Sequence, residues 1–86
     1  MRTPRQTTIR RAILASLSHL PAGYMLPTDL VQKDTARLVP QEPTTSEFEA
    51  ELRAADTEHL IVGIAGEDAT RWKIADSGRA WLVEHP

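Results

Sequence analysis

The first regular hydrophobic pattern lies near the N-terminus and predicts a helix. Small and apolar residues recur there every three or four positions: Ile9, Ala12, Ile13, Ser16, Leu17 and Leu20. This spacing is the period of one helix face. Thr3 can cap the helix and Pro4 suits its first turn, with Thr7 or Thr8 as later alternative starts. Pro21–Gly23 then ends it.

The middle of the chain predicts a short strand, a second helix and a loop. Tyr24–Leu26 is a brief apolar run that fits one strand, and Thr28 can cap a helix that extends to about Leu38. The side chains expected to turn inward on this helix are Leu30, Val31 and Leu38. Val39–Pro43 is expected to be a loop because two prolines three positions apart suit neither a helix interior nor a strand.

The third helix has the clearest start signal. Thr44 with Glu47, and Ser46 with Glu49, form two overlapping capping boxes. The apolar face behind them has helical spacing and consists of Phe48, Leu52 and Ala55. The sequence therefore predicts a helix from Thr45 to about Ala55.

The last third of the chain predicts a β-hairpin and a short helix. Leu60–Ile64 is β-branched and apolar, Ala65–Ala69 is a turn, and Thr70–Ile74 alternates polar with apolar residues. This alternation directs Trp72 and Ile74 to the core and turns Arg71 and Lys73 to water. Asp76 is expected to cap a final helix, whose buried residues would be Ala80 and either Trp81 or Leu82.

The segment Arg71–Leu82 resembles the end of the wing in many bacterial winged-helix regulators. In those proteins an aromatic-basic-aliphatic strand leads into a Thr-x-x-Gly-Arg-type turn and a last helix, and Ala75 stands here where they often have Thr. Gly78 would let that helix lie close to the hairpin. The order of predicted elements resembles the same family along nearly the whole chain. The implied fold is an α+β winged helix over residues 1–86, with a three-helix core, a C-terminal hairpin wing and a short final helix.

The resemblance implies a small double-stranded DNA-binding, transcription-regulating module. The third helix, from Thr45 to about Ala55, would enter the major groove, and the wing, Ile61–Ile74, would contact the backbone. Within that scheme Arg53 is the candidate for a base contact, while Thr45 and Ser46 would donate to a phosphate. The basic candidates for phosphate contacts are Arg71 and Lys73 on the wing and Arg5, Arg10 and Arg11, with Arg2, near the N-terminus. The alternative for the N-terminal arginines is a solvated helix surface.

The charge pattern keeps a second function open. Residues 1–41 carry a formal charge of +4 and residues 42–86 carry −6, and the third helix is expected to expose Glu47 and Glu51, which phosphates would repel. This helix could serve a protein–protein interaction module or adaptor that does not bind DNA. Folding could equally mix the two halves into a neutral surface. If Trp81 protruded from the surface, it would support the hypothesis of a protein–protein interaction module. Otherwise it would cover the hairpin.

The composition narrows the classes of function that remain for the chain. The chain contains no cysteine, so disulfides, thiolate nucleophiles and cysteine zinc sites are excluded. The three histidines are far apart in the sequence, and no catalytic, metal-binding or cofactor-binding constellation is apparent, so an enzyme is not expected. No run is long and apolar enough for a membrane span and no secretion signal is visible, which favours a cytoplasmic, prokaryotic or phage protein. The absence of a long helix after Leu82 favours a monomer.

Overall fold

Residues 2–86 are described by a computed structural model in which helices alternate with short strands. The elements in chain order are α1 (Pro4–Ser18), β1 (Leu26–Pro27), α2 (Thr28–Leu38), α3 (Thr45–Thr57), β2 (Ile61–Ala65), β3 (Thr70–Ile74) and α4 (Asp76–Glu84). The α+β class that the sequence predicts is confirmed, and each predicted helix and strand is present with its boundaries shifted by a few residues.

The three strands form one antiparallel sheet in the order β1-β3-β2. The hairpin register pairs Ile61 with Ile74 and Ala65 with Thr70. On the other side of β3, Leu26 pairs with Trp72. The central strand is therefore β3, and both β1 and β2 are edges.

The hydrophobic core lies between three helices and one face of the sheet. It is formed by Ile9, Ile13, Leu14, Leu17, Val31, Phe48, Leu52, Ala55, Leu60, Ile61 and Trp72. The helical spacing of these residues in α1 and α3 explains why both helices bury one face. Trp72 brings the sheet into the same core, as the predicted alternation along β3 requires, and Ile61 of β2 does so beside it.

Thr28 has a different role from the predicted helix cap. The cap position of α2 is Pro27, and Thr28 is already helical. Its hydroxyl accepts a hydrogen bond from the Trp72 indole Nε1 (2.8 Å) and donates one to the Thr70 carbonyl (3.2 Å). A buried indole N–H needs such a partner, so Thr28 joins the start of α2 to the central strand.

Three predictions of inward-facing side chains are wrong. Leu30 and Leu38 are 40% and 51% exposed, and Ala80 is also exposed. On α2 only the row of Val31 and Thr35 is buried, because the helix is covered by α1 on one narrow face. On α4, Trp81 and Leu82 are both half-buried and pack against the core.

Gly78 confirms the expected close approach of the last helix to the hairpin. A Cβ atom at this position would overlap the Leu60 carbonyl oxygen and lie 2.8 Å from Ile74 Cγ1. The Leu60 carbonyl cannot move away easily because it accepts the Ala75 N–H (3.0 Å). Within residues 2–86 no side chain caps α4, whose first residue is Asp76, so the predicted capping bond is wrong.

We expect Gly78→Ala to destabilise the fold by about 1–3 kcal/mol, as overpacking against backbone does. Helix propensity alone would give the opposite sign, a gain of about 1 kcal/mol. The matched control is Ala80→Gly on the exposed side of α4, which should lose only that propensity. Urea unfolding followed by tryptophan fluorescence measures both. A stabilised Gly78→Ala variant would contradict the close contact.

Candidate nucleic-acid interface

The arginines near the N-terminus face α3 rather than a free surface. Arg5 makes a two-pronged contact with Glu47, with Nε at 2.6 Å and Nη2 at 3.1 Å from the two carboxylate oxygens. Arg2 Nη1 lies 2.5 Å from Glu51 Oε1. We call the set of ion pairs between these segments the α1–α3 seam; its members are Arg2, Arg5, Arg10, Glu47, Glu51 and Glu58.

Arg10 is the buried member of the seam. Its side chain is only 2% exposed, and its two Nη atoms donate to the Glu58 carboxylate at 3.0 and 2.5 Å. Arg10 Nε lies 3.7 Å from Glu51 Oε1 and has no hydrogen-bond partner among the described residues. The guanidinium also lies 5.8 Å from the centre of the Trp81 ring. A nucleic acid cannot reach it, which removes Arg10 from the predicted phosphate contacts.

The seam also stabilises the ionised form of two carboxylates, those of Glu47 and Glu58. Hydrogen bonding from Arg5, together with the Thr44 backbone N–H, lowers the pKa of Glu47 to about 2. The same contact raises the pKa of Arg5. Hydrogen bonding from Arg10 lowers the pKa of Glu58. These glutamates therefore stay charged and paired at neutral pH.

Arg11 is tied to the C-terminal end of the chain. Its Nε donates to the His85 carbonyl at 3.0 Å. The His85 ring stacks on Trp81 with their centres 3.9 Å apart. Trp81 is thus half-buried between Arg10 and His85, which answers the question of whether it protrudes or covers the fold. Arg11 remains half-exposed, but its side-chain direction is set by this contact.

The exposed face of α3 differs from the one expected. Glu51 is buried and Glu47 is half-buried, because their row of the helix faces α1. The side chains turned to solvent are instead Thr45, Ser46, Glu49, Ala50, Arg53, Asp56 and Thr57. Only one of them is basic, and Glu49 and Asp56 lie four residues before and three after it. Arg53 is therefore accessible, but within an acidic neighbourhood.

Two basic side chains lie on the side of the sheet that faces away from the core, and a third lies beside one of them. Arg71 and Lys73 are exposed on β3, opposite Ile64 and Val62 of β2.

Arg79 of α4 lines the same depression as Lys73 and Tyr24, and its Nη1 approaches the Ser18 carbonyl at 3.4 Å. We call Arg71, Lys73 and Arg79 the basic strip. Within residues 2–86, no carboxylate oxygen lies within 4.0 Å of these three cations.

The basic strip and α3 meet at Thr28. One depression beside this residue is lined by Arg53, Glu49 and Asp56 of α3, and another by Arg71, Asp29 and the hairpin turn. The turn contributes Glu67 and Asp68, so the tip of the hairpin is acidic. The predicted residues Arg53 and Arg71 thus flank one junction, whereas Arg5, Arg10 and Arg11 lie elsewhere.

Sequence reasoning missed Arg79 as a possible contact. The residue was visible only as part of the resemblance at the hairpin end, and nothing in its spacing relates it to Lys73. Its position follows from the close contact at Gly78, which fixes α4 against the hairpin. The signal that could have found it is this glycine, since a helix held so near the sheet must bring its neighbouring side chains to the sheet surface.

Comparison of the chain with protein-family models, curated proteins and solved structures gives no match. In the described part of the chain, residues 2–86, no group of three or more His, Asp or Glu side chains is arranged to hold a metal ion. No helix within those residues is long and apolar enough to cross a membrane. The function of the chain must therefore be inferred from the geometry of its own side chains.

We expect the α1–α3 seam to make stability depend on acid pH. Glu47 has a folded pKa of about 2, against about 4.3 in an unfolded chain. Because its folded pKa is the lower one, its contribution is fully present above about pH 4.3 and is lost as the pH falls towards 2. Denaturant unfolding at a series of pH values measures this loss.

The control is Glu47→Gln, which cannot titrate. This variant should be less stable than the native chain at pH 7 and should lose less stability between pH 4.3 and 2. Identical pH dependence of the two chains would show that the contact between Arg5 and Glu47 does not persist in solution.

Proposed function

We propose that the chain is a small double-stranded DNA-binding module of the winged-helix type that contacts DNA mainly through the basic strip. The order of elements supports this fold, with α2 and α3 followed directly by a hairpin and a short α4. The pairing of β1 with β3 supports it too, since it joins the segment before α2 to the hairpin. A role in transcription regulation is part of the same proposal.

The observation that carries the proposal is that, among residues 2–86, no carboxylate forms an ion pair with the three cations of the basic strip. Arg71 and Lys73 are two residues apart on one strand face, and so about 6.8 Å apart along the strand. Phosphates of one DNA strand follow one another about every 3.4 Å along the helix axis. Because the backbone also winds around that axis, neighbouring phosphates are farther apart than this rise. The two cations can therefore contact neighbouring phosphates, and Arg79 extends the contact towards α1.

In the expected binding mode, contacts to phosphates contribute more to the affinity than contacts to bases. Arg53 can reach a guanine edge, but Glu49 and Asp56 beside it repel the backbone on either side. Thr45 and Ser46 are exposed at the start of α3 and their hydroxyls can donate to a phosphate. Such a surface holds DNA through charge and discriminates weakly between sequences.

The alternative, an interaction module that uses an acidic third helix, receives less support. Two of the glutamates it would offer to a partner, Glu47 and Glu51, already pair with arginines of the same chain. Reversing their charge would disturb the α1–α3 seam before it disturbed any complex. Loss of a complex in such variants would consequently not identify α3 as the contact.

We expect the chain to bind duplex DNA with an affinity that falls steeply with salt. Three phosphate contacts give a slope of about −2.7 for log affinity against log salt concentration. Replacing Arg71 and Lys73 by Gln should weaken binding to all sequences and flatten this slope to about −0.9. Fluorescence anisotropy with labelled duplexes at several salt concentrations measures both quantities.

The matched control for this experiment is Arg37→Gln. Arg37 is also exposed and lies at the far end of α2, near Asp34, so its loss should change the affinity little. Arg53→Gln should reduce the difference between preferred and random sequences while preserving most of the affinity. Binding that ignores salt, or that falls equally in the Arg37 variant, would refute the assignment to the basic strip.

A further inference from the structure

The two edges of the sheet are protected to different degrees. The β1 edge is two residues long and includes Pro27, which lacks an N–H and so limits pairing with another strand. The β2 edge, Ile61–Ala65, is five residues long and contains neither a charge nor a proline. Exposed edges usually carry such residues because bare edges pair with other chains. The β2 edge lacks these safeguards.

The hairpin register shows which backbone groups point outwards. Gly66 N–H donates to Ala69 and Ala75 N–H donates to Leu60. Since hydrogen-bonded and non-bonded pairs alternate in an antiparallel hairpin, the even-numbered residues of β2 bond to β3. The N–H and C=O groups of Gly63 and Ala65 therefore face the open edge. Those of Ile61 do as well, but this residue is only 2% exposed.

The side chains of this edge are also unusually apolar. Ile64 is 54% exposed and Val62 is 38% exposed on the outer face of the sheet. All four residues from 62 to 65 are exposed. The accessible edge is thus a short neutral strand with outward backbone groups at two positions and an apolar side chain between them.

We infer that β2 pairs with the β2 strand of a second copy of this chain, antiparallel and about a twofold axis at Ile64. In this register Gly63 of each copy faces Ala65 of the other, and each pair exchanges two backbone hydrogen bonds. All four outward groups on each strand are then satisfied. The Ile64 side chains meet directly across the axis, in a non-hydrogen-bonded pair where strands approach most closely.

A second copy fits this edge better than a charged partner. The strand is neutral, so two copies meet without repulsion and a charged peptide gains nothing from it. The outward groups at Gly63 and Ala65 are placed symmetrically about Ile64, so the strand is its own complement. The contact is only about four residues long, well below the area of a stable dimer, so we expect a dissociation constant of about 0.1–1 mM.

Such a dimer has a six-stranded sheet with the same face outward in both copies. The axis is perpendicular to the sheet, so the Arg71 and Lys73 side chains of both copies lie on one surface. The two β3 strands are then three strand spacings, about 14 Å, apart. The pairing follows from the β2 edge alone and does not depend on DNA binding.

Disulfide trapping tests the pairing and its register. The native chain has no cysteine, so Ile64→Cys introduces the only one. Facing residues in a non-hydrogen-bonded pair have Cα atoms about 4.5 Å apart, which a disulfide spans. The matched control is Val83→Cys, at an apolar position of α4 that is 81% exposed. We expect Ile64→Cys to form covalent dimers more than about tenfold faster than the control.

Sedimentation equilibrium of the native chain, up to about 1 mM, tests the association without a crosslink. We expect a monomer–dimer equilibrium that Ile64→Lys weakens by about tenfold or more and Val83→Lys leaves unchanged. Circular dichroism confirms that each variant is folded, as expected for exposed positions. A native chain that stays monomeric at 1 mM, or equal trapping of the two cysteine variants, would overturn the inference.

Discussion

The buried guanidinium of Arg10 is the constraint on which the arrangement of the helices depends. Burying a guanidinium that is only 2% exposed costs free energy unless carboxylates reach it, and removing one partner of such a pair typically costs about 3–5 kcal/mol. Glu51 of α3 and Glu58, the residue that follows the last residue of α3, supply those carboxylates and lie seven residues apart. This spacing of two helical turns fixes both the rotation of α3 and its alignment along α1. The same rotation places the apolar row of Phe48 and Leu52 in the core.

The same constraint decides which charges remain for function. Basic residues near the N-terminus and acidic residues of α3 neutralise each other within the fold, so the large charge difference between the halves of the chain is mostly internal. The accessible charges include the basic strip, Lys33 and Arg37 of α2, and the acidic surroundings of Arg53 and of the hairpin tip. The N-terminal half, which looks like the basic partner in the sequence, contributes little to that strip. Its bases come from β3 and α4, in the acidic half.

Sequence patterns within a few residues were sufficient to predict the helices and strands. They were insufficient to predict the contacts between those elements. The start of α1 at Pro4, the capping box at Thr44 and the alternation of β3 depend on neighbours within a few residues, and the structure confirms each. The apolar period predicts the buried face of α3 correctly at Phe48, Leu52 and Ala55. It does not reveal that Glu51 faces Arg10, which lies 41 residues earlier in the sequence. For the same reason Glu51 looked exposed. Thr28 was misassigned because its hydroxyl bonds to Trp72, 44 positions away.

The open β2 edge is itself a consequence of the core. One common safeguard of an edge strand is a charged side chain directed inwards, and Gly63 is the position in the middle of β2 where it would stand. A Cβ atom there would lie 2.5 Å from the Trp72 ring, whose indole is held in place by Thr28. The central tryptophan therefore requires a glycine beside it. The packing that joins the sheet to the helices leaves β2 without an inward charge, and the exposed Ile64 adds an apolar contact to the unpaired backbone. The unprotected edge of β2 is therefore the one at which we infer that a second copy of the chain pairs.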